Sequence, residues 1–163
     1  MTRNTMIALA AGGSAALLAG AFVYQLLGYA PCPMCLWQRW PHAAAIIIGI
    51  LAVAIPGRFM PALGAIAAAA TGAIGVYHTG VERDWWEGPA SCSGGNGLDG
   101  LSGADLLAVE GPAIVMCDQV AWEFLSLSKA SWSALVSFAM MAVWVTALRL
   151  SAGSKATGSS RTV

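Results

Sequence analysis

Four long apolar stretches constrain the fold of this chain more than any other feature of its sequence. An α-helix needs about 20 apolar residues to cross the ~30 Å hydrocarbon core of a bilayer. The chain is 58% hydrophobic and only 10% charged, a composition typical of membrane proteins. Only helices and closed barrels satisfy their backbone hydrogen bonds in lipid, and these stretches are too long for barrel strands. The sequence therefore predicts an all-α membrane protein, a bundle of four transmembrane helices at about 6–27, 36–55, 59–79 and 131–150.

The four stretches leave one long loop and one polar tail. Residues 1–150 are expected to form a single transmembrane domain, with the loop at about 80–130 joining the third and fourth helices. All eight acidic residues lie in this loop, which indicates that it is solvated. Within it, the segment 102–105 resembles a helix-capping box and predicts a short helix. The polar residues at 151–163 predict a disordered tail.

The lysines and arginines predict which side of the membrane each end faces, because cytoplasmic segments carry an excess of them. Three of the eight fall on the side of the long loop. The other five fall on the opposite side: Arg3, Arg58, Arg149, Lys155 and Arg161. We therefore expect a multi-pass protein of a bacterial inner membrane, with both termini and the tail in the cytoplasm. All four cysteines then face the periplasm, where disulfides form and persist.

Cys32 and Cys35 form a CxxC pair just before the second apolar stretch. Thiols at this spacing can close a small, reducible disulfide, and a helix N-terminus favours the thiolate form. On a continuous helix Arg39 shares the face of Cys35, so its guanidinium can stabilise a thiolate or an anionic oxygen on an electron acceptor. The alternative is an interfacial arginine whose side chain extends to the lipid headgroups. Pro41 removes a backbone donor and predicts a kink near Trp37, which weakens the argument from a shared face.

Cys92 and Cys117 are the other two cysteines, and both lie in the long loop. They are too far apart for a second CxxC, and their flanks suit a disulfide. Glycines around Cys92 predict a mobile segment in which a partner's thiolate can attack. The residues alone leave two alternatives open. One is a pair of inert structural disulfides, and the other is zinc held by four thiolates, although a zinc ribbon usually has two tight cysteine knuckles.

Several other polar and aromatic side chains fall near the predicted outer boundary of the membrane. Six of the seven tryptophans map there, as in an interfacial belt. Trp37 and Trp40 are near the cysteines, and they are candidates to line a pocket for an aromatic ring. His78 ends the third stretch, where it can hydrogen-bond a carbonyl oxygen of a ligand or stand as an ordinary interfacial histidine. Glu82 is expected at a solvated helix end.

These features together resemble the bacterial disulfide bond formation protein B (DsbB) family. The resemblance covers nearly the whole chain: four spans, the sequence Pro-Cys-x-x-Cys-Leu-Trp-Gln-Arg-Trp from Pro31, and a loop with two cysteines. It implies an enzyme, a thiol:quinone oxidoreductase. Such an enzyme reoxidises a periplasmic DsbA-like thioredoxin-fold dithiol oxidase and passes the electrons to ubiquinone or menaquinone in the lipid bilayer. We expect neither a metal nor a nucleic-acid partner.

The resemblance also implies a role for each site residue. The partner's thiolate attacks Cys92, and the freed Cys117 exchanges with Cys32. Cys35 is then left as a thiolate beside the quinone. The implied quinone-binding residues are Cys35, Arg39 and His78, of which the last two stabilise the reduced oxygen.

Two other functions remain as alternatives. One is a vitamin K epoxide reductase-like thiol:quinone enzyme, although in that family the active CxxC lies late in the bundle. The other is a noncatalytic membrane protein whose disulfides only brace the outer loops. Hydropathy does not separate these classes, whereas the reactivity of the thiols does.

Overall fold

The computed structural model describes residues 1–89, Cys92 and residues 115–158, with side chains described as far as Ala152. Within these residues it contains four helices that are long and apolar enough to cross a membrane, which confirms the predicted fold class. The short helix predicted at 102–105 lies outside the described residues. The helices are α1 (Arg3–Leu26), α2 (Pro33–Ala54), α3 (Phe59–Glu82) and α4 (Lys129–Gly158).

Helix α1 ends in a motif that turns the chain sharply toward the cysteines. Gly28 has φ +95°, a conformation that glycine adopts without steric cost. Its N–H donates to the carbonyl of Gln25, and the N–H of Tyr29 donates to the carbonyl of Tyr24. These two bonds are those of a Schellman motif, which satisfies carbonyls that the end of a helix leaves unpaired. The chain then needs only a few residues to enter α2.

Helix α2 begins at Pro33, within the CxxC motif, three residues before the start at residue 36 that the apolar stretch predicts. Cys32 is the N-cap residue, and its Sγ accepts the backbone N–H of Cys35 at 3.3 Å. Pro33 occupies the first helical position, where its missing N–H and fixed φ favour helix initiation. Cys35 is therefore part of the first turn of α2. The helix is one element through Pro41.

Consecutive helices pack against each other, and α1 also packs against α4, which closes the bundle. The end with the chain N-terminus and the α2–α3 turn is named the closed end. Its core includes Met6, Ile7, Ala52 and Trp144. The opposite end is named the cysteine end, and it includes the CxxC pair, the last turn of α3 and the first turn of α4.

A short hairpin precedes α4 at the cysteine end. Strands β1 (Glu123–Phe124) and β2 (Leu127–Ser128) pair antiparallel, with Glu123 opposite Ser128. The two residues between them, Leu125 and Ser126, both have positive φ, as a type I′ turn requires. Neither is the asparagine or glycine that usually marks such a turn, so the sequence gives no sign of this hairpin.

Helix α4 continues to Gly158, beyond the predicted end of the fourth span. The residues that follow lie outside the described part of the chain. A disordered cytoplasmic tail over 151–163 and the limits 1–150 of the transmembrane domain stay predictions.

Candidate functional site

The CxxC pair forms a hydrogen-bonded dithiol at the start of α2. The Cys32 Sγ donates to the Cys35 Sγ at 2.9 Å. Cys32 is buried, with 3% of its surface exposed, while Cys35 is half-buried. The hydrogen bond to Cys35, followed by burial, raises the pKa of the Cys32 thiol. Cys32 therefore keeps its proton, and the Cys35 sulfur is the one placed to carry a negative charge.

Cys92 and Cys117 are joined by a disulfide directly beside this dithiol. Their Cα atoms lie 5.1 Å apart, within the normal range for a disulfide. The N–H of Cys117 also donates to the carbonyl of Cys92 at 2.6 Å. Both residues pack in one buried cluster with Cys32 and Val81. The structure thus holds one disulfide, Cys92–Cys117, beside the two thiols of the CxxC pair.

His78 is buried against the dithiol instead of lying at an exposed boundary. Its Nε2 is 3.5 Å from the Cys32 Sγ, and its Nδ1 is 3.2 Å from the Nε2 of Gln38. With the Gln38 amide as donor, Nδ1 accepts and the ring proton is on Nε2, facing Cys32. Gln38 therefore fixes the orientation of the ring, a role that the sequence analysis did not assign to it.

The prediction that Glu82 lies at a solvated helix end is wrong, because the structure buries its side chain. Only 7% of its side chain is exposed, and its Oε1 is 3.8 Å from the His78 Nε2. Ser128 of the hairpin donates to the Glu82 Oε2 and lies 3.0 Å from the Ser131 Oγ. The hairpin brings Ser128 back to the end of α3, so this buried network depends on a tertiary contact that sequence spacing does not reveal.

The two thiols and His78 also form a compact set of potential metal donors. The sulfur atoms of Cys32 and Cys35 and a ring nitrogen of His78 lie within 4.8 Å of one another. Such soft sulfur and imidazole ligands suit zinc. Metal content is therefore worth measuring in any test of the thiols.

A cavity of about 410 Å³, named the large cavity, opens between α1, α2, α4 and the hairpin. It lies on the side of Cys35 away from His78. Small and apolar residues of α1 form one wall. Four aromatic side chains also line it: Tyr24, Trp122, Phe124 and Trp132. Its polar lining consists of Cys35, Gln38, Arg39, His42 and Lys129, with the hydroxyl of Ser133.

The aromatic residues that line this cavity are not the two that the sequence analysis named as candidates. Trp37 and Trp40 are 45% and 77% exposed, and the cavity lining described here does not include them. Aromatic side chains of α1, of the hairpin and the residue before it, and of α4 take that place. His78 lines a second, smaller cavity together with Cys32 and Glu82. The structure therefore brings Cys35 and Arg39 to the large cavity and places His78 on the disulfide side of the dithiol.

Arg39 extends toward α1 from the same helix face as Cys35. Its Nη1 donates to the Gln25 Oε1 at 2.9 Å, and its guanidinium carbon is 4.8 Å from the centre of the Phe22 ring. Its Nε is buried and has no hydrogen-bond partner among the described residues. Arg39 thus has an unused donor beside the cavity.

Lys129 and His42 are two further polar residues that the sequence analysis did not single out. Lys129 lines both cavities, and its Nζ is 4.8 Å from the centre of the Tyr24 ring. His42 is seven residues after Cys35, so helical spacing alone could have placed it on the Cys35 face. The position of Lys129 depends on how α4 packs, and no local signal predicts it.

Fold and site together define a class: a multi-pass helical membrane protein with a dithiol, a neighbouring disulfide and a cavity at one end of its bundle. The family model for disulfide bond formation protein DsbB matches residues 3–147, and the chain belongs to this family. This family assignment confirms the resemblance drawn from the sequence.

Individual relatives agree with the family match. Disulfide bond formation protein B of Xanthomonas oryzae pv. oryzae (strain MAFF 311018) is 35% identical over 162 residues, covering 90% of this chain and 87% of the relative. The protein of the same description from Aromatoleum aromaticum is 30% identical over 154 residues, covering 88% and 89%. That from Azoarcus sp. (strain BH72) is 32% identical over 145 residues, covering 80% and 84%. No solved structure matches the chain.

Proposed function

We propose that this protein is a thiol:quinone oxidoreductase of a bacterial inner membrane. In this proposal it reoxidises a periplasmic, DsbA-like dithiol oxidase of thioredoxin fold and passes the electrons to ubiquinone or menaquinone. The family assignment favours this function over a vitamin K epoxide reductase-like enzyme or a noncatalytic scaffold. Both termini are cytoplasmic and all four cysteines periplasmic, as the distribution of lysine and arginine favours.

One observation carries the proposal: the two thiols of the CxxC pair have different neighbours. Cys32 is buried in one cluster with the Cys92–Cys117 disulfide and does not line the large cavity. Cys35 packs at the edge of that cluster and also lines the large cavity. A dithiol with one sulfur toward a disulfide and the other toward a cavity can take electrons from one side and deliver them to the other. A noncatalytic disulfide brace needs no such arrangement.

Thiol–disulfide exchange accounts for the first half of the reaction. The partner's thiolate attacks Cys92, the Cys92–Cys117 bond breaks, and Cys117 leaves as a thiolate. The partner's second thiol then displaces Cys92 and closes the partner's own disulfide. Cys117 attacks Cys32 of the closed Cys32–Cys35 disulfide, and Cys35 leaves as a thiolate. When Cys92 displaces Cys32 from Cys117, the outer disulfide is restored and both electrons reside on Cys32 and Cys35.

The redox state of the cysteines in the structure matches the end of that sequence. Cys92 and Cys117 are bonded, and Cys32 and Cys35 are thiols. Cys32 holds its proton in the hydrogen bond to Cys35, and the Nε2 of His78 faces the same sulfur. In the tautomer fixed by Gln38, the Nε2–H of His78 can therefore donate to the Cys32 sulfur when that sulfur carries negative charge during exchange with Cys117.

The cavity beside Cys35 suits a quinone. A planar ring with oxygen substituents fits between aromatic walls, and the buried, unpaired Nε of Arg39 can donate to an oxygen. When bound, a quinone accepts two electrons and two protons and leaves as the quinol. Arg39 would hold an oxygen that gains negative charge, Lys129 would add a second cation at the cavity wall, and Cys35 would be the thiol of the pair nearest the ring.

The test is anaerobic quinone reduction by the purified protein, supplied with a reduced thioredoxin-fold dithiol protein of the periplasm. We expect quinol to form in the wild-type protein and to be undetectable with Cys35→Ala. Since Cys35 is only half-buried, this variant should remain inserted and folded, which its melting temperature checks. A matched control is Ser137→Ala, which alters a buried side chain outside the cavity.

Three results would contradict the proposal. Quinol formation that survives Cys35→Ala would remove Cys35 as the electron donor. Wild-type thiols that never react with the partner would favour a structural brace. Stoichiometric zinc that protects the thiols from alkylation would favour a metal site at Cys32, Cys35 and His78.

A further inference from the structure

His42 is a buried polar residue that the reaction described above does not use. It lies on α2, two turns beyond Cys35, and only 5% of its surface is exposed. Neither Nδ1 nor Nε2 has a hydrogen-bond partner within the part of the chain that the structure describes. Its side chain lines the large cavity.

An imidazole in this position lacks the interactions that buried polar groups normally have. Most such groups are paired, because burying an unpaired one costs free energy. Among the described residues, four other side chains each have a buried polar atom without a partner: Arg39, Asp118, Ser137 and Trp144. Of these five side chains, only His42 and Arg39 line the large cavity. The missing partner of His42 can therefore come from a ligand that enters this space.

The helix spacing places His42 beyond Arg39 as seen from the dithiol. At about 1.5 Å of rise per residue, Arg39 is about 6 Å from Cys35 along the helix axis and His42 about 4.5 Å further. All three residues line the same cavity, and Arg39 also has an unpaired buried donor there. The cavity thus offers two separate polar contacts along one helix face, one near the thiols and one deeper in the bundle.

The chemistry of the two contacts fits a ring with an oxygen on each of two opposite sides. The Arg39 Nε is a donor, and a neutral imidazole has one donor and one acceptor nitrogen. A para-quinone presents two acceptor oxygens, and the quinol presents two hydroxyl groups. His42 can donate to the first and can either donate to or accept from the second.

We propose that His42 binds the deeper oxygen of the quinone ring, while Arg39 binds the oxygen nearer to Cys35. His42 is then a ligand-binding residue that fixes the rotation of the ring in the cavity. This inference rests on the proposed function, because it assumes that a quinone enters this cavity. It adds a contact on the side of the ring away from the thiols.

The test measures binding without turnover, using the full-length protein with all cysteines oxidised and a short-chain ubiquinone analogue. Quenching of tryptophan fluorescence reports the dissociation constant, since Trp122 and Trp132 line the cavity. We expect His42→Leu to weaken binding about three- to tenfold, the effect of losing one hydrogen bond. His42→Gln restores an amide donor and should recover most of the affinity. Ser137→Ala removes an unpaired buried hydroxyl outside the cavity and should bind as the wild type does.

A second measurement detects binding in the wild-type protein, and a single folded variant is enough to assign its signals. The chain has two histidines, so isotope-labelled histidine gives few ring-nitrogen NMR signals, and His42→Leu or His78→Gln identifies each. We expect the His42 signals to move when the quinone analogue saturates the protein. Unmoved His42 signals, or equal affinities of wild type and His42→Leu, would overturn the role of His42 alone. A wild-type protein that binds no quinone would instead overturn the proposed function.

Discussion

The two ends of the bundle are built differently, although the same four helices form both. At the closed end, apolar side chains fill the space between helices, with Ile7 and Trp144 fully buried. At the cysteine end, the helices separate around two cavities, and the side chains between them include a partly buried dithiol, a buried disulfide, and the buried side chains of a histidine and a glutamate. The comparison indicates that the two ends have different roles. The closed end stabilises the bundle by close packing, whereas the cysteine end is less closely packed and holds the reactive groups.

Close packing at Gly64 and the hydrogen bonds of Arg3 stabilise the closed end. Gly64 of α3 lies against the Trp144 ring, so an added Cβ would be 2.5 Å from the nearest ring carbon. Small residues of this kind let helices approach closely in lipid. Arg3 donates to the carbonyl of Ala52 at 2.7 Å, to that of Ile55 at 3.1 Å and to the Ser151 hydroxyl at 3.0 Å. One side chain thereby links α1 to the end of α2 and to Ser151 of α4.

The largest expected effect concerns the difference within the dithiol itself. We expect a membrane-permeant maleimide to modify Cys35 at least about tenfold faster than Cys32, because the thiolate is the reactive form and each unit of thiol pKa changes the thiolate fraction tenfold. The raised pKa of Cys32 and its burial act in the same direction. The measurement is brief alkylation after mild reduction, followed by fragment-ion mass spectrometry of the peptide that contains both residues.

The control in this assay is the outer disulfide. Cys92 and Cys117 are bonded, so they stay unlabelled as long as the mild reductant opens only the inner pair. Equal labelling of Cys32 and Cys35 would contradict the asymmetry of the dithiol, and with it the assignment of Cys35 as the sulfur that faces the acceptor.

The next effect tests the packing of the closed end. Gly64→Ala places a methyl group against the Trp144 ring, and overpacking of this kind costs about 1–3 kcal/mol. We expect a lower free energy of unfolding in detergent, with quinone affinity per folded molecule unchanged. Gly12→Ala is the matched control, because a Cβ at Gly12 meets nothing within 4 Å and alanine is the better helix former. A Gly64→Ala protein as stable as Gly12→Ala would show that the closed end is loosely packed.

The two ends also differ in how far the sequence predicts them. Hydropathy predicts the four helices because the bilayer imposes their length and their apolar surface. The CxxC spacing likewise predicts a dithiol at the start of α2, and the shared helix face predicts that Arg39 accompanies Cys35. These are local signals, and a helix of known period carries them directly into space.

What the sequence does not predict depends on contacts between distant segments. The burial of Glu82 requires Ser128 of the hairpin, and the cavity walls require aromatic side chains from α1, from the hairpin region and from α4. Trp37 and Trp40 are the nearer aromatics in sequence, yet α2 turns them outward. Closeness in sequence to the cysteines therefore does not predict which aromatic side chains line the cavity. The face of the helix on which a side chain lies determines its contacts.

A smaller effect is expected from Arg39 at the cysteine end. Arg39→Ala removes a charged donor from the cavity, and we expect KM for quinone to rise at least about tenfold with a smaller change in kcat, since charged hydrogen bonds contribute about 1.5–3 kcal/mol. Arg39→Lys should recover only part of the loss, because an ammonium lacks the planar set of donors. Steady-state kinetics with varied quinone measures both constants. An unchanged KM would favour the alternative in which Arg39 only anchors α2 at the headgroups.

The smallest effect is expected from Arg3, and it tests whether the two ends are independent. Arg3→Gln loses most of the hydrogen bonds to Ala52 and Ile55, which satisfy carbonyls at the end of α2, so we expect a loss of about 1 kcal/mol in the free energy of unfolding. Arg58→Gln removes the same charge from an exposed side chain that makes no capping hydrogen bond, and it should cost less. Quinone affinity should be equal in both variants. If Arg3→Gln lowered the free energy of quinone binding as much as the free energy of unfolding, the closed end would control the shape of the cavity. The inference that the two ends have separate roles would then be wrong.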